Sequence, residues 1–346
     1  MAYTTINKHK DYFNTVLYTG NGSARTITTG LTSTDFIWNK RRDSTGNHMI
    51  YDVLRGVNKD INTDSTEAEE TQTGTVTAFG SNSYTLGTHG GTNANGETRV
   101  SWNWSANGAG SSNSDGSITS TVSANTTAGF SIVKYTGTGS NATIGHGLGV
   151  APTYMIVKSV SATEHWQVYH QNIGATKYIE MSSTAAEVTS SDRWNNTAPT
   201  SSVFSVSTHG SVNTNGTTYI AYCFAEKTGY SKFGSYAGNN NQDGPFIYLG
   251  FKPAFVLFKR SSAVENWSLY DNKRATEYNP TAYGLRPNIN NAESAYGAGG
   301  AAGGIDILSN GFKIKEGGTN INDGTYIYMA FGQSLVGSNN VPCTAR

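Results

Sequence analysis

The chain is predicted to be all-β, built as three tandem, homologous antiparallel β-sandwich-like domains behind a short N-terminal arm. Three observations predict this. A motif recurs: Thr88–Trp104 reads THGGTNANGETRVSWNW and Thr208–Phe224 reads THGSVNTNGTTYIAYCF. The composition is rich in Gly, Ser, Thr and Asn, with 20 Tyr and 13 Phe, residues that suit tight turns and pleated surfaces. The apolar residues after each motif alternate with period two, as in a strand with one buried face.

The recurrence extends to a third copy. Asn320–Phe331, NINDGTYIYMAF, aligns without a gap on Asn213–Phe224. Two further blocks recur in the same order: DFIWNK, TYMIVK and AFVLFK, then NHMIYD, HWQVYH and NWSLYD. Upstream of these stand LYTGNG, KYTGTG and SYAGNN. Agreement in order and spacing divides the chain into an arm (1–12), domain 1 (13–106), a Gly/Ser/Asn-rich segment read as a flexible linker (107–129), domain 2 (130–227), domain 3 (228–336) and a tail (337–346). The brief EKTGYSKFG join predicts that domains 2 and 3 pack more rigidly together than domain 1 packs on either.

Within each domain, Asn95-Gly96, Asn215-Gly216 and Asp323-Gly324 supply the positive φ of a hairpin turn. The strand after it places Val100, Trp102 and Trp104, or Ile220, Tyr222 and Phe224, or Ile327, Met329 and Phe331, on its buried face. FIWN, MIVK and VLFK read as strands buried on both faces; Pro152 and Pro253 are tolerated at strand entry. His48, Trp166 and Trp267 share one column and Tyr51, Tyr169 and Tyr270 another, which brings aromatics into the interior. Residues 64–70 and 182–188 are the only segments with a helical turn in prospect.

Composition restricts function. Lys plus Arg and Asp plus Glu are 24 each, so no basic face attracts nucleic acid or an anionic membrane. No apolar stretch approaches the length of a membrane span, and the N-terminus lacks the apolar region of a secretory signal. Cys223 and Cys343 form no disulfide framework or zinc motif, and Cys223 is expected to be an inert thiol. His89 and His209 share a position that Glu316 takes in the third copy, with no second ligand at metal spacing. The acidic residues Asp60, Asp64, Glu67, Glu69 and Glu70 read as a solvated loop. The column Asp52, His170, Asp271 is polar but changes charge. With no nucleophile elbow, phosphate loop or paired carboxylates, neither an enzyme nor a cofactor is expected. GAGGAAGG (297–304) reads as a loop.

Two sets of side chains are left as contact candidates. Trp194 in DRWNNTAP reads as an exposed platform for a sugar ring, with Arg193, Asn195 and Asn196 bonding its hydroxyls. Tyr219, Tyr326 and Tyr328, opposite the core face, read as subunit or inter-domain contacts.

MAYTTINKHKDYFNT, DGSITSTVSANTTAGFSIV, GHGLGVAP, THGSVNTNGTTYIAYCFAE, GYSKFGSY and GSNNVPCTAR resemble a repeat-domain family of virion and tail-fibre-type proteins from phages of marine bacteria and cyanobacteria. The resemblance covers nearly the whole chain. It implies a virion structural protein assembled in the host cytoplasm, a tail fibre or adhesin first and a capsid decoration protein or head fibre second, with a glycan depolymerase as a remote third. Its implied partners are other virion proteins, copies of itself (a trimer among the options) and a host-surface glycan. Nucleic acid and membrane insertion are not expected. The first copy departs from the pattern in TTGLTSTDFIWN, which lacks the proline before the strand.

Overall fold

A computed structural model describes residues 4–274, 279–295, 303–318 and 320–334. The fold is nearly all β, as the alternation and turn chemistry predict, and the same strand order recurs three times. In each unit an opening strand (Phe13–Thr19, Phe130–Thr136, Ser231–Ala237) pairs with a closing strand (Thr98–Trp104, Thr218–Phe224, Thr325–Gly332). The closing strand then pairs with a middle strand (Phe36–Arg41, Tyr154–Ser159, Pro253–Arg260), and that with a fourth (Met49–Asp52, Gln167–His170, Trp267–Asp271). All these pairs are antiparallel.

A small second sheet covers one face of each main sheet. Its first strands are Arg25–Thr28, Ala142–Gly145 and Phe246–Tyr248. The two sheets enclose a private core: Ile37, Tyr51 and Tyr84 in unit 1, Trp194, Tyr219 and Phe204 in unit 2, Tyr236, Phe312 and Tyr326 in unit 3.

The other face of each main sheet is not solvated. All three meet in one central core, so the strands expected to be half-buried are buried on both sides. Trp104, Phe224 and Phe331 hold equivalent positions on the closing strands. Their ring centroids form a triangle of sides 5.4, 6.0 and 6.4 Å, edge-on to one another. Phe36, Tyr154 and Phe255 hold the next column, each paired with one of these three rings. Edge-on packing of this kind adds to area burial.

Four expectations are corrected here. The side chains of Tyr219, Tyr326 and Tyr328, read as subunit or inter-domain contacts, fill the private cores and are almost wholly buried; of the three, Tyr328 also meets another unit, through its backbone carbonyl. The set read as each domain's interior (Val100, Trp102, Trp104 and their counterparts) is what joins the three units. The 107–129 segment is no flexible linker: Ser111–Asn113 and Ser120–Asn125 form a hairpin that extends the second unit's main sheet. The arm is not free. Ile6 enters the central core, and His9, wholly buried, stands edge-on to Tyr230 at 5.3 Å. Unit 1 shares the central core with the other two units.

The opening motif has a local explanation. The turn it forms links the small sheet to the closing strand rather than making a hairpin, and the short helices Gly90–Asn93 and Gly210–Asn213 lie there; residues 64–70 and 182–188 are not helical. Gly96, Gly216 and Gly324 take φ of 81°, 75° and 105°, as the Asn-Gly and Asp-Gly steps require. Buried Asn93 donates to the carbonyls of Ser23 and Gly87 and accepts from the Asn21 amide. Asn213 repeats all three bonds with Ser140, Ser207 and Thr138. Asn322, not Asn320, repeats them in unit 3, with Asn241, Glu316 and Asn239, so the turn there is two residues shorter. Tyr18, Tyr135 and Tyr236 each donate, at 2.7 Å, to the carbonyl just before that asparagine.

Because the three units share one core, Phe331→Ala is expected to cost about 3–5 kcal/mol. It should lower a single unfolding transition seen alike by probes in all three units. Calorimetry showing one unit melting early with the other two unchanged would contradict the shared core.

Candidate functional site

The polar residues that sequence singles out lie at three inter-unit contacts, and the contacts run in one direction. Trp102 of unit 1 donates its indole N–H to Asp271 of unit 3 at 2.9 Å. Tyr222, its counterpart in unit 2, donates to Asp52 of unit 1 at 2.8 Å. His170 of unit 2 meets the backbone carbonyl of Tyr328 in unit 3 at 3.3 Å. Trp166 reaches the carbonyl of Asn62 and Trp267 that of Glu180, in the same sense. A contact that passes from each unit to the next and returns to the start after three steps is a closed cyclic arrangement, here inside one chain.

The column that changes charge is matched by its surroundings. Asp52 Oδ1 accepts the amides of Leu54 and Arg55, and Oδ2 takes Arg55 Nε. Arg55 also reaches the Ile50 carbonyl and Glu69. Unit 3 repeats this bond for bond with Asp271, Arg274, Leu269 and Glu293. Both pairs are fully buried. Burial of a charge is tolerable only when partners surround it. In unit 2 Ile173 stands where the arginine would be, and the neighbour presents Met329 where the others present Trp102 or Tyr222. The column residue there is neutral: burial lowers His170 to about 4, its Nδ1 accepts from the Asn172 amide, and Nε2–H is left to donate.

A second ring was hidden in the blocks ending in lysine. Lys40, Lys158 and Lys259 are buried at equivalent positions. Each ammonium donates to a carbonyl of the adjacent unit: Lys40 to Asn290, Lys158 to Thr66, Lys259 to Thr184, at 3.1–3.3 Å. Burial lowers each of the three to about 8.

The remaining candidates are structural. Trp194 is 1% exposed, edge-on to Tyr169 at 6.1 Å in the private core of unit 2, so it offers no face to a sugar. Its polar neighbours misled: buried Arg193 lies 4.2 Å over the Tyr178 ring and donates to Gln167. Asn195 and Asn196 are exposed, but they turn the chain with φ of 51°. His89 and His209 cap the short helices, each accepting a backbone N–H at 3.0 Å. The acidic run is a solvated loop only in part: Glu67 and Glu70 are exposed, the other three are not. Asp60 is buried and raised to about 6 by that burial, Asp64 accepts the His48 amide, and Glu69 pairs with Arg55. Burial raises Cys223 to about 12, in keeping with an inert thiol. Cys343 and most of the 297–304 loop lie outside the described residues. Among the described residues no three metal-ligating side chains converge.

Among the described residues a groove lies at each inter-unit contact, between an opening strand and the turn after the preceding unit's fourth strand; in the first, Ser112, Ser120 and Thr121 of the 107–129 segment form part of the wall. The turn residues are Val53 and Leu54, Gln171 and Asn172, Asn272 and Lys273. A family model described as a domain of unknown function, DUF7483, matches residues 8–334. No curated protein and no solved structure matches the chain.

Two outcomes test the matched contacts. Asp52→His alone is expected to cost about 3–5 kcal/mol, since it leaves Arg55 buried without its carboxylate. Adding Arg55→Ile and Tyr222→Met, which copies the unit 2–unit 3 contact, should recover most of that loss in chemical denaturation. The lysine ring predicts an alkaline optimum. Folded lysines release protons near pH 8 and unfolded ones near 10.5, so between those values the unfolded chain binds more protons and stability rises with pH. Above pH 10 the sign reverses. Buried tyrosines such as Tyr18, raised to about 12, keep protons that the unfolded chain has lost. The melting temperature should therefore climb from pH 7.5 to about 9.5 and then fall, and Lys158→Met should flatten the climb.

Proposed function

The chain belongs to the DUF7483 family, and we propose that it is a non-enzymatic structural protein of a phage virion, a tail fibre or adhesin that contacts the host surface. One observation carries the non-enzymatic part. The buried ionisable groups of the inter-unit contacts are spent on partners within the chain, and the paired carboxylates Asp52 and Asp271 are sealed from solvent. The virion part rests on the sequence resemblance, with which a turn-rich, neutral, cyclic β body is consistent.

The closed threefold arrangement favours a second reading, a capsid-bound decoration protein. A chain that supplies its own threefold body fits a point on a particle surface as well as the end of a fibre.

Cryo-EM of virions from a phage encoding this chain distinguishes the two. Density at the tail in few copies is expected, whereas many tens of copies on the shell would move the protein to the capsid. Absence from purified particles by mass spectrometry would end both readings.

A further inference from the structure

The three inter-unit grooves are equivalent by position but not by content. In the groove between units 1 and 2, the chain lays its own segment. Ser120–Asn125 pairs antiparallel with the outer edge of the opening strand Phe130–Thr136, Val122 opposite Val133 and Ser123 opposite Ile132. Just before it, Ile118 donates its amide to the Thr143 carbonyl and Ser120 its hydroxyl to the Gly145 carbonyl, both at 3.0 Å. The small sheet is thus covered at Thr143 and Gly145. A Cβ on Gly145 would fall 1.6 Å from Asn113 Oδ1, so the Asn113 side chain of the segment packs directly against this glycine.

Between units 2 and 3 the connection is short, and among the described residues no strand pairs with the corresponding edge of Ser231–Ala237. The groove there encloses about 480 Å³. The residues opposite the small sheet's buried aromatics set the register: Ile144 faces Phe204, and Ile247 faces Phe312. Phe246 and Tyr248 therefore stand where Thr143 and Gly145 stand in unit 2. They are 46% and 56% exposed, on one face of their strand, and both line the groove. Unit 1 has Thr26 and Thr28 at these positions, so the aromatic floor is particular to unit 3.

The edge of the strand above that floor is partly occupied by side chains. The Phe233 amide donates to Glu226 at 2.7 Å, and Gln171 donates to the Phe233 carbonyl at 2.8 Å. At the equivalent Ile132 a strand backbone is paired instead. Two residues further on, Ser235 points its backbone to the same edge, because alternate residues of an antiparallel strand face alternate sides. Ser235 and Ala237 are exposed.

We propose that the groove between units 2 and 3 accepts an extended segment of a partner polypeptide. The segment runs antiparallel to Ser231–Ala237, bonds the backbone at Ser235 and Ala237, displaces Gln171 and Glu226 from Phe233, and lays alternate side chains on Phe246 and Tyr248. Strand addition of this kind takes affinity from the backbone and specificity from alternate side chains. The chain itself supplies the pattern of the occupant: uncharged, with apolar Val122 and Ala124 alternating with polar Thr121, Ser123 and Asn125, as in Ser120–Asn125. An open edge beside exposed aromatics is otherwise a liability that proteins cover. This inference stands apart from the virion reading and needs no particle.

The test uses the full chain and a displayed library of random dodecapeptides, with the selected peptides then synthesised. Peptides with period-two apolar alternation are expected to be enriched and to protect the amides of Ser235 and Ala237 from hydrogen exchange. Ser235→Pro should weaken them at least tenfold, since proline removes an outward N–H that the closing strand does not use. Tyr248→Thr, which installs the unit 1 residue, should weaken them at least fivefold at unchanged melting temperature, and decides the matter if the proline variant misfolds. No enrichment over background, or peptides that bind both variants as tightly as wild type, would overturn the proposal. So would binding on a glycan array that Tyr248→Thr abolishes and no peptide competes, which would make the floor a sugar platform.

Discussion

The contact of Trp104, Phe224 and Phe331 is the constraint from which the rest of the architecture follows. Three rings within 6.4 Å of one another can meet only if the three closing strands converge on a line. Convergence turns one face of every main sheet inward. The sheets then need a second layer on their outer faces, and the small sheets provide it. Each main sheet is thus buried on both sides, which explains why residues such as Asn39, Ser101 and Asn103 are sealed from water and must find partners within the chain.

A shared core also dictates where charge can be placed. The turns after the fourth strands are driven against the neighbouring unit, so their polar residues lose water. Two of the three contacts keep a buried Asp–Arg pair with an aromatic donor from next door. The third removes the charge, the arginine and the donor together. Removing only the carboxylate or only the arginine would strand a buried charge, which explains why those two are absent together from the third contact.

The β class, the threefold recurrence and the positive-φ turns were legible because they rest on local periodicity and backbone chemistry. The central core was not. A closing strand such as Thr218–Phe224 alternates Ile220, Tyr222 and Phe224 with Tyr219, Ala221 and Cys223, and both sets can be buried. Period two separates the faces without saying what covers each. Trp194 failed for a related reason. Its charged neighbour Arg193 marks an exposed loop by composition, yet it is held over Tyr178 by a cation–π contact that no local pattern announces. The 107–129 segment has a linker's composition, but Ser, Thr and Asn serve equally well in an edge strand whose outer face is wet. The lysine ring was visible as the last letter of three aligned blocks. What was missing was the reason a lysine should end a buried strand, and that reason is a carbonyl in the next unit.

Three copies joined in one chain differ from three identical chains in one respect that bears on function. In a homotrimer any change at an interface appears at all three, so a groove cannot be closed at one contact and left open at another. In a single chain each contact varies alone. The hairpin 107–129 covers the first groove, the second presents Phe246 and Tyr248, and the third is bounded by Lys10 and Ser334, with Phe13 in its wall. Internal symmetry holds the body together while the grooves, which make little contribution to the core, are free to diverge. The differences among the three grooves therefore say more about recognition than the similarities among the three sheets.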